Sequence, residues 1–333
     1  EPLHRLFGSG NLLALYGVYT FFIISGFLIT SSFLHRSSTG NFLARRCLRI
    51  FPGLVLCLVL SVLVLGPLMT SLRTSDYLGS DGTAAYAART VALVDTSDQG
   101  LPGVLFSSND YGTILNGSQW TLGPEFICYL GVIALGLLFL LRPIGALALL
   151  GLGVWTHLHP STGFLGNLEY LLPFFAAGSA LYFLLPRLGN RRLAGLVSLV
   201  GLVAVTAWWE PAVAFALFGS VLVLLVGTST TRTFSGATRF GDLSYGIYLY
   251  GWPVEQTVRH VLGDHADWWS VFLVSLLIAA ALAFVSWHLV EARAMRLGQQ
   301  LSALSAQQRD EPTAAPAAVV VKDPGVLAND RSG

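Results

Sequence analysis

Four groups of residues in this chain are of types, and at spacings, that could do chemistry. Arg45, Arg46 and Arg49 stand in FLARRCLRIFP, just before the apolar run that opens at Ile50. Guanidinium groups match phosphate oxygens as bidentate donors, so such a cluster can hold an anionic group. The same arginines can instead be topology determinants, because Lys and Arg keep loops on the cytoplasmic side. Glu125, in NGSQWTLGPEFICYLGV, lies about one turn into an otherwise apolar span. A carboxylate at the centre of a membrane helix costs about 2.5–3.5 kcal/mol, so it usually faces the bundle interior and has a partner. The alternative is a glutamate near a helix N-terminus, where the dipole favours it.

The other two groups point less clearly to chemistry. His157 and His159, in WTHLHP, are two apart and do not share a helical face. A metal site would need further ligands, so they read as polar interfacial residues. Tyr245, Tyr248 and Trp252 fall three and four apart and put an aromatic stripe on one helical face. That stripe fits an aromatic belt with core packing, or the lining of a cavity. Asp242 or Ser244 can cap the start of its helix. Glu291, with Arg293 and Arg296, reads as a cytoplasmic helix end. Cys47, Cys57 and Cys128 show neither metal nor redox spacing and read as small hydrophobes.

These groups are positioned by a membrane scaffold. Of 333 residues, 54% are hydrophobic and 11% charged, against about a quarter charged in a soluble domain. Mean hydropathy is +0.65. The fold class is therefore an all-α, polytopic membrane bundle, with the lipid bilayer as its solvent. No basic run interleaved with aromatics suggests nucleic acid. Apolar spans are predicted near 12–34, 50–68, 121–141, 144–158, 168–185, 193–209, 211–227, 243–262 and 269–290, about nine helices. Pro211 suits a first helical turn. The run from Ala176 to Ala180 is small enough to let helices approach closely in lipid.

Running the first span from outside to inside puts twelve arginines on the cytoplasmic side and only Arg5, Arg73, Arg89 and Arg259 outside. The stretch from about 69 to 119 then becomes an extracytoplasmic loop with no sustained periodicity, either a solvated cap or a lid over a site. Residues 298–333 form an expected disordered cytoplasmic tail. Glu1 to Asn11 is a short polar approach without the pattern of a signal peptide.

Several stretches together resemble the membrane-bound acyltransferase 3 family. GVYTFFIISGFLI resembles its G-V-D-x-F-F signature, and FLARRCLRIFP its F-x-x-R-R-x-x-R-I-(Y/F)-P segment. NGSQWTLGPEFICYL resembles N-G-S-L-W-(S/T)-L-x-x-E, with Gln119 in place of an apolar residue. FGDLSYGIYLYGWP and SWHLVEARA resemble two later blocks. The resemblance implies one membrane domain over 1–297 that transfers an acyl group, expected to be acetyl, from acyl-CoA to a hydroxyl. The acceptor would be a cell-surface polysaccharide or glycoside, and the location the inner (plasma) membrane. No bound cofactor or metal is implied; acyl-CoA is a donor substrate. Arg45, Arg46 and Arg49 would hold it. Glu125 is the catalytic candidate, and Ser25, Ser118, Trp120, Tyr245 and Tyr248 would line the cavity or acceptor side. The family core has ten helices, and the first bears a histidine base. That helix is expected to be missing here, and His4 does not match its motif. A multi-span transporter, or an inactive truncated member, is the alternative.

Overall fold

The apolar run Leu12–Leu34 forms α1, and the serine that follows its polar turn starts the next helix. Ser38 accepts from the Asn41 amide at 3.1 Å, an N-cap that satisfies one of the orphan donors of Thr39–Met69, α2. The arginine cluster, expected as a connection between two spans, therefore sits inside α2, in its second and third turns. Arg46 and Arg49 are three apart and share a face that a loop would not have given them. In this computed structural model the described residues are 12–36, 38–94, 99–104, 106, 109, 112–229, 241–263 and 267–300.

The stretch expected as an irregular loop carries α3 (Thr74–Leu78) and α4 (Asp81–Val91). It buries its own small core, in which Tyr77, Tyr86, Leu101, Phe106 and Leu115 pack on Leu58 and Val62 of α2. A 3-10 turn over Gly117–Thr121 leads into α5, Leu122–Leu137. Then follow α6 (Pro143–Leu158), α7 (Phe164–Leu184), α8 (Arg191–Trp208), α9 (Pro211–Ser229), α10 (Ser244–Leu262) and α11 (Trp268–Gln300). All nine expected spans are helical, and the described residues form no strand. Among the described residues seven helices are long and apolar enough to cross a membrane; α6 is shorter and α10 less apolar.

Caps explain several boundaries. Asn190 accepts from the amides of Arg192 and Leu193, and Asp267 from those of Trp269 and Ser270. Glu210 caps α9 with Pro211 in the first turn, as the sequence leads one to expect. The expected tail over 298–333 is described only at 298–300, which continue α11. His4 lies outside the described residues.

At the centre α1 crosses α7. A Cβ at Gly26 would strike the carbonyl of Phe175, and one at Gly178 the carbonyl of Ile23. The small run at 176–180 thus does bring two helices into backbone contact, as packing in lipid favours. Thr30 donates to Ser179 at 2.8 Å across this crossing, and both are buried. Beside it α2, α5, α10 and the end of α11 converge, and the polar residues collect there.

Candidate active site

Glu125 is in the first turn of α5, yet it does not face solvent: it is 6% exposed. The Tyr129 hydroxyl, one turn on, donates to its Oε1. Ser25 of α1 lies at the same tyrosine hydroxyl. From α2, Arg46 and Arg49 come close enough to act electrostatically on Glu125. The Arg46 guanidinium is 5.9 Å from the Tyr129 ring and 5.5 Å from that of Phe42, and Nη2 donates to Ser32 at 3.0 Å. Its buried Nε has no hydrogen-bond partner. Among the described residues Arg46 has no ion pair. Two of the three expected arginines therefore lie within electrostatic reach of the expected carboxylate.

Arg49 is held differently. It pairs with Asp242 at 2.5 Å and reaches the Met295 sulfur at 3.6 Å. Its guanidinium stands 5.7 Å from the Tyr245 ring and 6.0 Å from that of Trp287. Asp242 precedes α10 and lies outside the spans. Burial pushes its carboxyl up, but the Ser244 hydroxyl and the Arg49 guanidinium outweigh this and hold it below the usual carboxylate range. Tyr245 is anchored by donating to the Ile50 carbonyl at 2.7 Å. Arg45 packs its stem beside Gly298, and its buried Nε also has no hydrogen-bond partner.

Ser118, Trp120 and Tyr248 form a second group around the 3-10 turn. Asn116 caps that turn and donates to the Leu249 carbonyl at 3.0 Å. A Cβ on Gly117 would lie 2.7 Å from the Trp252 indole, so the glycine makes room for the ring. Tyr248 donates to the Ser118 carbonyl at 2.6 Å and shares a hydrogen bond of the same length with Thr121. The aromatic stripe thus joins α10 to α2 and to the entrance of α5. Trp120 packs near Tyr170, ring centroids 6.4 Å apart. His157, expected at the interface, is buried: Nδ1 lies 2.9 Å from the Tyr170 carbonyl and the ring stacks on Tyr170. His159 is exposed, so the two histidines do face apart.

Sequence reasoning missed Glu291. Instead of ending a helix in water it is 1% exposed and within electrostatic reach of Arg49. Ser286 donates to its Oε1 at 2.6 Å, while Oε2 has no partner. A π-helical turn over Trp287–Glu291 places residues five apart above one another and rotates Glu291 inward. The signal present in the sequence was Gly53, whose missing side chain makes room for the Glu291 carboxylate and Tyr245.

This geometry offers inward cations and buried carboxylates at one level of the bundle, with hydroxyls beside them. The family model described as an acyltransferase domain matches residues 2–288. An O-acetyl transferase of Shigella phage Sf6 is 28% identical over 314 residues, 88% of each chain. Nodulation protein 10 of Rhizobium leguminosarum bv. viciae is 29% identical over 336 residues, covering 91% of this chain and 88% of its own. No solved structure matches. With the family model spanning most of its length and its helices built for a bilayer, the chain belongs to the acyltransferase 3 family and is a membrane-embedded O-acyltransferase.

Proposed function

We propose that the protein takes an acyl group, acetyl by analogy with the phage relative's name, from acyl-CoA and esterifies a hydroxyl of a surface polysaccharide or glycoside. The observation that carries this reading is Arg46, which among the described residues has no carboxylate in ion-pair range and whose buried Nε has no hydrogen-bond partner. A half-buried cation left in this state suits an incoming anion, and the phosphates of a coenzyme A thioester supply one. Arg49 binds the same group more weakly, because it must share itself with Asp242.

The acceptor hydroxyl attacks the thioester carbonyl: a C–O bond forms, the C–S bond breaks, and the hydroxyl proton leaves as the CoA thiolate takes one up. Glu125 is the carboxylate in the proton's path, oriented by Tyr129. Ser118, Trp120 and Tyr248 shape the approach of the acceptor from the folded cap of α3 and α4. In this reading the cap is extracytoplasmic, the arginines and C-terminal end face the cytoplasm, and the membrane is the plasma membrane.

The test uses native protein in sealed vesicles with radiolabelled acetyl-CoA inside. The expected product is label on a glycan, released by mild base as an ester would be. Movement of an intact solute with no ester formed would replace this reading by a transporter.

A further inference from the structure

Away from the polar seam, a cavity of about 470 Å³ opens between α7, α8 and α9. Its walls are mainly apolar, with Leu150 of α6, Ala180 and Leu184 of α7, Val197 of α8 and Leu217 of α9, and Ser198 and Ser220 among the polar exceptions. A largely apolar groove of this kind favours an apolar occupant over water. At about 30 Å³ per water-sized group, it accommodates roughly fifteen methylenes, the length of one lipid chain. One wall, α8, buries only Ser198 fully, packs Gly201 against Phe218 of α9, and leaves Leu196, Leu199, Val200 and Val203 exposed on its outer face. The cavity is therefore reached sideways from the bilayer.

Its mouth is marked by charge. Leu188, Gly189 and Asn190 line the end where α7 stops and α8 begins, and Arg187, Arg191 and Arg192 flank them. Arg142, before α6, is at the same end of the bundle. All four are exposed, and among the described residues none forms an ion pair. Arg191 and Arg192 occupy the first turn of α8, which holds no acidic residue. Cations there oppose the helix dipole, whose positive end favours an anion. The first turn of α6, behind Arg142, has no acid either. Basic pockets between membrane helices bind the head groups of anionic lipids.

We propose that this cavity binds one chain of an anionic phospholipid, with the lipid phosphate on Arg187, Arg191 and Arg192. The bound lipid fills the gap that α8 leaves against α7 and holds α8 to the bundle. This site is separate from Arg46, Arg49 and Glu125 and does not depend on the substrates assigned to them.

Native mass spectrometry of the purified protein, titrated with dioleoyl phosphatidylglycerol or dioleoyl phosphatidylcholine, tests the proposal. The wild type is expected to retain phosphatidylglycerol roughly tenfold or more in preference to phosphatidylcholine. Changing Arg187, Arg191 and Arg192 together to Gln should remove the preference while neutral lipid still binds. Filling the cavity by Ala194→Phe with Val197→Phe should remove retention of both lipids. Equal retention of the two lipids by wild type overturns the proposal, and that comparison needs no variant to fold. Undiminished phosphatidylglycerol binding by the filled variant overturns it as well.

Discussion

α5 and α8 are both apolar helices of similar length, yet they do opposite things with their residues. α8 fully buries Ser198 alone and exposes most of its large apolar side chains, Leu193, Leu196, Val197, Leu199, Val200 and Val203 among them. α5 buries Leu122, Gly123, Pro124, Glu125, Cys128, Tyr129 and Val132, one polar seam and its supports. Lipid tails are as apolar as leucine, so the outer face of α8 needs no inward polar pairing to be stable in the bilayer. α5 must place a carboxylate against cations in a medium where each unpaired group is costly, and there geometry decides. Substitutions should therefore be felt strongly in one helix's neighbourhood and weakly in the other's.

The largest expected effect is at the cations that Glu125 faces. Arg46→Ala with Arg49→Ala removes two charge-assisted donors, about 1.5–3 kcal/mol each. Acyl-CoA binding should weaken by roughly a hundredfold or more, measured by equilibrium binding to protein that still inserts and elutes as wild type. Unchanged affinity would leave the arginines as topology determinants and move the donor site elsewhere. Next comes the carboxylate itself. Glu125→Gln keeps volume and should lower turnover by at least about a hundredfold, the low end for a group handling a proton in the transition state. If Glu125 only sat at a helix N-terminus, the change would cost about 0.3–1 kcal/mol of stability and little activity.

Gly53→Ala probes the packing of the seam. Its Cβ would lie 2.9 Å from the Tyr245 ring and 3.2 Å from the Glu291 carboxylate. Overpacking of this kind costs about 1–3 kcal/mol, to be read as a lowered midpoint of thermal unfolding in detergent. A midpoint at the wild-type value would mean that Glu291 has room to move.

A smaller effect is expected at Asp242, which is partly exposed. Its folded carboxyl titrates below the ordinary range, so its contribution is present above the unfolded value, about 3.9, and is lost as pH falls through the folded one. Wild type should be more stable than Asp242→Asn at pH 6, and the two unfolding midpoints should converge as the pH is lowered below about 4. A gap that persists in acid would mean the Arg49–Asp242 pair is not what stabilises.

Much of this contrast was legible in the residues. The spans, the small run at 176–180 and the inward Glu125 follow from hydropathy and from the cost of a charge in lipid. The arginine cluster was placed one step wrong, as a connection, because three charges depress hydropathy even where Ser38 caps a helix that runs through them. Glu291 was misread for a related reason. Two arginines follow it, and a π turn, which periodicity of 3.6 cannot register, rotates it away from them. The stretch from 69 to 119 was legible as a cap or lid, but its fold was not, because α3 and α4 are short and their core rests on single aromatic residues such as Tyr77 and Tyr86. His157 is buried by its stacking on Tyr170, a contact between two helices that a single sequence does not announce.

The smallest expected effect lies on α8, where the comparison is easiest to break. Leu196 is 59% exposed and does not line the cavity beside α7. Leu196→Ala exchanges one apolar surface in lipid for a smaller one, opens no void and leaves no polar group unpaired. Its stability should stay within about 0.5 kcal/mol of wild type. Leu54 of α2, fully buried beside the seam, carries the same side chain in the opposite setting. There the truncation leaves a cavity, which costs about 2–5 kcal/mol. The two variants differ in nothing but location, so unfolding midpoints measured side by side in one detergent isolate that difference. Equal losses at the two sites would show that α8 is packed against protein or lipid as tightly as the seam is. The division drawn here between a lipid-facing and a site-forming half of the bundle would then fail.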